Sequence, residues 1–475
     1  MNNKSLTEGA PWKGILSFMM PVLLGLLLQQ LYNTVDTIIV GNFAGESPLA
    51  AVGACGVLTM AFLALANGFS AGACILIAQL FGAGRKEDMR RQASSSLVVM
   101  IAMGIAASVA GIVISRFALK YILATPDSLL PMADTYFKIY AAGLIFQFGY
   151  NIVSAILRGI GDSKATLYFL LVASVINVVL DIVFVYSLNM GVAGAAIATD
   201  IAQALSCIVG FAYMMRKYPI FRWRIRDLTF ETDLAKRSLK TGFPMALQQF
   251  IVSFGFVFIQ RAVNSYGEAM TASFSVAQKI ETYMTLPASA LMTTQGTFTG
   301  QNIGAGKLDR VKAGAKHTVL ISEIITAGIL IVVYVFATPI VLAFGLGPEA
   351  VGYCTDHVRF VAISLPVFAA YFPLLGLFQG ANNALFSTLV ATGALTVRVA
   401  VTYLLQGIPG VGYHMIWWNT LFGWGFGFIL AWTHFLRGKW QKGMEHKQSE
   451  GGGRNEDTGI KEQRQQARVI QQISR

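Results

Sequence analysis

The sequence predicts an all-α integral membrane protein whose twelve transmembrane helices form two similar six-helix lobes. Composition is the first indication: the chain is 55% hydrophobic and only 13% charged, where a soluble domain carries about 25% charged residues. Apolar runs of span length are the second, recurring from one end to the other. The third is a repeated motif. Residues 78–84 read A-Q-L-F-G-A-G and residues 300–306 read G-Q-N-I-G-A-G, nearly half the chain apart. Each closes an apolar stretch and precedes basic residues: Arg85, Lys86, Arg90 and Arg91, then Lys307, Arg310 and Lys312. At the same offset Gly45-Glu46 falls on Gly267-Glu268. Membrane proteins built from repeated halves are most often transporters, with the site between the repeats.

About twenty apolar residues cross a bilayer. The runs lie at 14–40, 49–77, 93–118, 135–157, 165–187, 192–214, 242–262, 269–298, 317–344, 358–379, 384–406 and 411–436. Span one carries Gln29, Asn33 and Asp36 on one helical face, spaced i, i+4, i+7. Span two ends in the first motif, which reads as a tight loop capping a helix. No Lys-Ser or Lys-Thr follows it, so it is not a phosphate loop. Span three follows the basic loop. Span four carries Gln147, Asn151 and Ser154 and ends in Leu157-Arg158-Gly159. Span five repeats the polar pattern of span one with Ser174, Asn177 and Asp181. Gly191-Val192-Ala193-Gly194 opens span six, where Asp200, Gln203 and Cys207 share a face. A polar stretch at 215–241, with Pro219 and Trp223, is expected to be the cytoplasmic linker between lobes 10–214 and 242–436. Span seven offers Gln248, Gln249 and Ser253. Span eight holds Glu281 with Gln278 and Thr285, and span nine holds His317 and Glu323 toward its inner end. Span ten ends in Phe378-Gln379-Gly380, span eleven contains Arg398, and Gly410-Val411-Gly412 opens span twelve. Residues 437–475, rich in Gly, Gln and charge, are expected to form a disordered cytoplasmic tail.

The net charge of +12 does not call for a nucleic-acid partner. The basic residues fall mostly in alternate loops, the positive-inside pattern, with Arg116, Lys120 and Lys138 of the outer 116–138 segment as the exception. That places both termini in the cytoplasm, with membrane lipids as the surroundings and the inner or plasma membrane as the location. Cys55, Cys74, Cys207 and Cys354 are scattered, and the five His show no metal-ligand spacing. No cofactor is expected, and no cleavable signal peptide. Trp12, Trp223 and Trp440 suit the membrane surface.

The first span P-V-L-L-G-L-L-L-Q-Q-L-Y-N-T-V-D-T-I-I-V-G-N, the paired glycine motifs, L-R-G-I-G-D-S at 157–163 and I-N-V-V-L-D at 176–181 together resemble the bacterial multidrug and toxic compound extrusion (MATE) transporter family. The likeness covers residues 10–436. It implies a V-shaped pair of lobes about a central cavity, and a cation-driven antiporter that exports amphipathic, often cationic, small molecules. It also implies that aspartates of the N-terminal half, with a nearby Asn, couple the cation. Some relatives carry acidic cation ligands in spans seven and ten. Here those spans offer Gln248, Gln249, Ser253 and Gln379 instead.

Ionisable groups within hydrocarbon are costly and usually face a cavity or a partner. Asp36 and Asp181 both lie a few residues from the outer ends of outward-running spans, so they are expected to meet. Two carboxyls so placed can take up a proton; with Asn177 and carbonyl oxygens they also suit sodium. A helix-packing hydrogen-bond cluster is the plainer reading of the same residues. Asp200 is a candidate for that cluster. Gln29, Asn33, Gln147, Asn151 and Glu281 are candidates for the cavity lining. A structural ion pair of Glu281 with Lys279 or Arg398 is the alternative reading. Tyr32, Tyr140, Tyr150, Met284 and Met292 are weaker candidates for a soft cavity wall.

The expected function is therefore a proton- or sodium-coupled antiporter, monomeric and not an enzyme. A flippase for lipid-linked precursors is the alternative on the same fold, but it calls for several cavity arginines, and only Arg398 is mid-span. A membrane enzyme calls for a convergent His, Ser or metal constellation, and a receptor for a sizeable soluble domain; neither is present in the sequence.

Overall fold

A backbone in hydrocarbon must satisfy its own hydrogen bonds, so apolar runs of span length fold as helices. The computed structural model describes residues 5–408 and 411–441. Among these there are helices and turns and no strand. Gly410 and residues 442–475, which make up nearly all of the expected tail, lie outside the described residues. The helices are α1 (Pro11–Ile39), α2 (Glu46–Gly82), α3 (Lys86–Phe117), α4 (Leu130–Ala142), α5 (Leu144–Gly159), α6 (Ser163–Asp181) and α7 (Gly191–Lys217), then α8 (Thr232–Asn264), α9 (Glu268–Gly304), α10 (Leu308–Leu342), α11 (Pro348–Gly380), α12 (Ala384–Leu405) and α13 (Met415–Leu436).

Among the described residues, nine helices are long and apolar enough to cross a membrane, and α4 with α5, bent by 44°, makes a tenth. The two remaining spans are α9 and α13. α9 runs for 37 residues but carries Gln278, Lys279, Glu281 and Gln295 along its length. α13 has 22 residues, among them Trp417, Trp418, Trp424 and Trp432. With the bent pair counted once, the twelve expected spans are all present. α1, α3 and α6 run on into wider π-turns at Val40–Ala44, Ala118–Ile122 and Ile182–Ser187.

Two large apolar cores hold the lobes together. One surrounds Phe137, Phe148, Ile152 and Ile156 in the N-terminal half. The other surrounds Leu365, Leu375, Phe378 and Trp424 in the C-terminal half. A smaller cluster ties the halves, packing Ile15, Phe18 and Met19 of α1 against Leu291 and Phe298 of α9.

The halves meet most closely at the end that bears the repeated motif. There the contacts are reciprocal. Gln79 Nε2 donates to the Gly380 carbonyl at 2.8 Å, and Gln301 Nε2 donates to the Gly159 carbonyl at 2.9 Å. Gly82 and Gly304 let α2 and α9 cross: a Cβ on Gly82 would lie 1.9 Å from the Gln301 carbonyl oxygen, and one on Gly304 1.9 Å from that of Gln79. Gly84 and Gly306, with φ +69° and +71°, make the left-handed turn that glycine favours. The motif thus supplies the expected turn and also a clasp between lobes, which no reading of either copy alone contains.

At the opposite end α2 and α8 part. An apolar groove lies between them, lined by Val57, Met60, Ala61, Phe250, Ser253, Phe254 and Val257. Met60, Phe250, Phe254 and Val257 are exposed there, and the two Phe rings pack 4.5 Å apart. The lobes therefore form a V, clasped at the motif end.

The expected linker is shorter and better anchored than the sequence suggested. α7 reaches Lys217 and α8 begins at Thr232, which leaves 218–231 between them. Glu231 binds Arg91 at 2.6 and 2.7 Å, Thr229 N donates to Ser94 Oγ at 2.9 Å, and Gln92 Nε2 donates to Ser238 Oγ at 2.8 Å. Trp223 and Trp440, expected at the membrane surface, are buried; Trp223 packs on Phe221 and Trp440 on Phe435. The N-terminal segment is also pinned. Leu6 is buried, its N–H donates to Gln301 Oε1 at 3.0 Å, and Arg310 donates to the carbonyls of Leu6, Glu8 and Gly9.

Candidate functional site

α1 and α6 lie side by side, and α7 packs against α6 on its way back. Asp36 is in the last turn of α1 and Asp181 is the last residue of α6, each just before a π-turn. Such turns widen the helix and are common at functional sites. The two carboxyls lie within electrostatic range of each other. Two neighbouring carboxylates repel, so a proton or a bound cation shared by the pair relieves that repulsion.

Asp181 and Asn177 are fully buried and Asp36 is half-buried. Oδ1 of Asp36 and Oδ1 of Asp181 are buried with no partner. Asn177 sits one turn before Asp181. Oriented to satisfy both ends of its amide, it donates to Asp181 Oδ2 at 2.8 Å and accepts from the Thr199 N–H at 3.2 Å. Tyr32, one turn before Asp36, places its hydroxyl 3.4 Å from Thr199 Oγ1. Among the described residues, no ion pair involves Asp36, Asp181 or Asp200. The site thus has two carboxyls and an amide, with no basic side chain to neutralise them.

Asp200 stands apart from the pair. It follows Thr199 on α7, and its carboxylate fills the space over Gly143 at the α4–α5 bend, where a Cβ would lie 1.9 Å from Oδ1. Tyr32 links the two regions, within electrostatic range of Asp36, Asp181 and Asp200. Of the polar residues suggested for the cavity, Gln29 and Asn33 are exposed and Gln147 is half-buried. Asn151 is buried and donates to the Gln147 carbonyl of its own helix at 2.9 Å, so it serves packing rather than an open cavity. Tyr140 and Met284 are likewise buried. The apolar groove is walled instead by Met60, Phe250 and Phe254.

Glu281 is answered by Arg398 and not by Lys279, which is exposed. Arg398 Nη1 lies 3.8 Å from Glu281 Oε1. Its other nitrogens are held by Asn419 Oδ1 at 2.8 Å and Thr420 Oγ1 at 3.0 Å. Among the described residues no three His, Cys, Asp or Glu gather as a metal site.

Sequence reading missed Thr199 and the part played by Tyr32. Tyr32 was available as the i−4 neighbour of Asp36 on the same helix face. Thr199 meets Asn177 through its backbone, which side-chain spacing does not reveal.

Two duplicated six-helix lobes, clasped at one end and carrying a carboxyl pair inside one lobe, define a polytopic membrane transporter. The chain belongs to the MatE family, whose model matches residues 21–183 and 244–404. The two matched stretches follow the internal repeat. The chain is 30% identical over 388 residues to the probable multidrug resistance protein YpnP of Bacillus subtilis, covering 81% of this chain and 86% of that one. It is 27% identical over 404 residues to the probable multidrug resistance protein YoeA of the same organism, covering 83% and 87%. A solved structure described as the outward-facing conformation of a multidrug resistance MATE family transporter matches with a TM-score of 0.87 at 24% identity, over 94% of this chain and 99% of that one. That likeness supports the fold.

Proposed function

We propose that this protein is a cation-coupled antiporter that exports amphipathic, often cationic, small molecules, with Asp36, Asn177 and Asp181 as the coupling site. The observation that supports it is the Asp36–Asp181 carboxyl pair of α1 and α6, with Asp181 buried and Asp36 half-buried, one orphan oxygen on each and no basic partner among the described residues. A proton or a sodium ion is the charge that such a pair lacks. Asp200 lies on the other side of Tyr32 from the pair. The motif end, followed by basic loops, is the cytoplasmic end, so the V opens outward. An external cation entering the pair alters how α1 and α6 pack and weakens substrate binding in the cleft. Substrate leaves outward; the cation-loaded protein turns inward and releases its cation.

The assay is ethidium movement in liposomes under an imposed pH gradient or sodium gradient. Each charge moved through 100 mV is worth about 2.3 kcal/mol, or roughly a 50-fold concentration ratio. Asp36→Asn is expected to abolish gradient-driven accumulation while the protein stays folded. Wild-type accumulation by that variant would sink the assignment. A second reading, lipid-precursor flipping, has no observation in its favour: the one buried Arg among the candidates is tied to Glu281.

A further inference from the structure

The two lobes share one site frame and fill it with opposite chemistry. α6 starts at Ser163 after Asp162, and α12 starts at Ala384 after Asn383. Counted from those starts, Asn177 and Arg398 hold the same position. Each reaches a threonine on the span that follows: Asn177 meets Thr199 of α7, and Arg398 meets Thr420 of α13. One turn further on, α6 has Asp181 where α12 has Thr402, which is buried and donates to the Arg398 carbonyl of its own helix at 2.9 Å. On the repeat-related first span, α1 contributes Asp36, whereas α8 lays the Phe256 ring 5.2 Å from the guanidinium. At the 222-residue offset Asp36 falls on Phe258, so the C-lobe frame carries a carboxyl at neither position and a cation in place of the amide.

That cation cannot leave. Arg398 is buried and is held by Asn419 and Thr420. Its counter-charge comes from α9, as Glu281, whose Oε2 is buried without a partner. The other polar groups within reach belong to α11. Tyr371 and His357 are buried and within electrostatic range of Arg398, and the His357 ring stacks between Phe274 and Trp417.

We propose that Arg398 is a built-in cation: in the C lobe it permanently occupies the place that the coupling cation fills and leaves in the N lobe, and by pairing with Glu281 it keeps that carboxylate out of coupling. The inference rests on the Asp36–Asp181 pair being the coupling site. Arg398 is thus a positioning residue, and removing it turns Glu281 into a second cation-responsive group.

The test measures ethidium affinity of the purified full-length protein against pH and, separately, against sodium. The slope of log Kd on either axis counts the cations that ethidium displaces. Wild type is expected to show a slope that Asp36→Asn abolishes. Arg398→Asn, which recreates the N-lobe residue, is expected to steepen the slope by about one, and adding Glu281→Gln is expected to return it to the wild-type value. A folded Arg398→Asn variant with the wild-type slope overturns the proposal, as does a gain that survives Glu281→Gln. A wild type with no slope on either axis overturns the coupling reading and the proposal with it. A slope that Asp36→Asn leaves intact overturns them also. If Arg398→Asn fails to fold by thermal unfolding, the uncharged pair Arg398→Met/Glu281→Gln decides. A wild-type slope there supports the built-in cation, and a reduced slope overturns it by showing that the pair takes part in coupling.

Discussion

Replacing Gly82 with Ala should loosen the clasp and shift the protein away from the conformation described here. The added Cβ would sit 1.9 Å from the Gln301 carbonyl oxygen. Ordinary contact begins near 3.4 Å, so α2 and α9 must part by roughly 1.5 Å where backbone meets backbone. No side chain can swing aside to absorb this. Overpacking of that kind costs about 1–3 kcal/mol, a population shift of about 5–150-fold. Cys74 is a native reporter. It is buried, with Sγ 3.7 Å from Thr297 Oγ1 of the other lobe. In protein whose other three cysteines are Ala, maleimide modification of Cys74 should accelerate by about that factor. Gly53→Ala, on the same helix with open space around its Cβ, should leave the rate unchanged. If Cys74 reacts no faster in Gly82→Ala, the crossing does not gate the motif end and the reasoning fails.

Two further substitutions test other contacts. Asp162 caps α6 and accepts from Tyr218, Tyr213 and Lys217 at 2.7, 3.1 and 2.9 Å. Burial alone would raise its carboxyl, but the bonds from Tyr218 and Lys217 outweigh it and hold the group below the usual carboxylate range. Asp162→Ala should cost about 1.5–3 kcal/mol in denaturant unfolding. Because the folded-state value is depressed, this contribution is full above the unfolded carboxylate range, near 4, and fades as pH falls through the lower folded value. The wild-type advantage over Asp162→Ala should therefore persist at neutral pH and shrink below about pH 4. Arg310→Ala should free residues 5–9, because it removes the donors to Leu6, Glu8 and Gly9. Amide exchange at Leu6 should speed up at least tenfold, in keeping with a lost charged hydrogen bond worth about 1.5 kcal/mol; equal exchange would show that Gln301 and Asn302 suffice.

Much of the architecture was legible because membrane spans obey a simple solvent rule, and because a duplicated motif fixes the halves. The meeting of Asp36 and Asp181 was legible too, since equal depth on two outward-running spans follows from counting residues. Contacts between lobes were not legible. Nothing in A-Q-L-F-G-A-G says that Gln79 reaches Gly380 or that Gly82 lies under Gln301, because such pairings depend on how two distant segments cross. Asn151 shows a related point: helical spacing gives a polar face, but a buried amide can bond to its own helix. The choice between Lys279 and Arg398 for Glu281 likewise needed side-chain direction, since Lys279 is close in sequence yet points away.

The clasp has one more consequence. Each half offers the other the same pair of groups, a glutamine amide and a glycine carbonyl, so the contact does not depend on which half is translated first. The connection at 218–231 raises the effective concentration of one half beside the other without supplying the clasp. Two polypeptides divided within that segment carry every group of the clasp, and a permuted chain that begins with the C-terminal half carries them as well. Assembly of this molecule is in that respect closer to the docking of two subunits than to the closing of one chain.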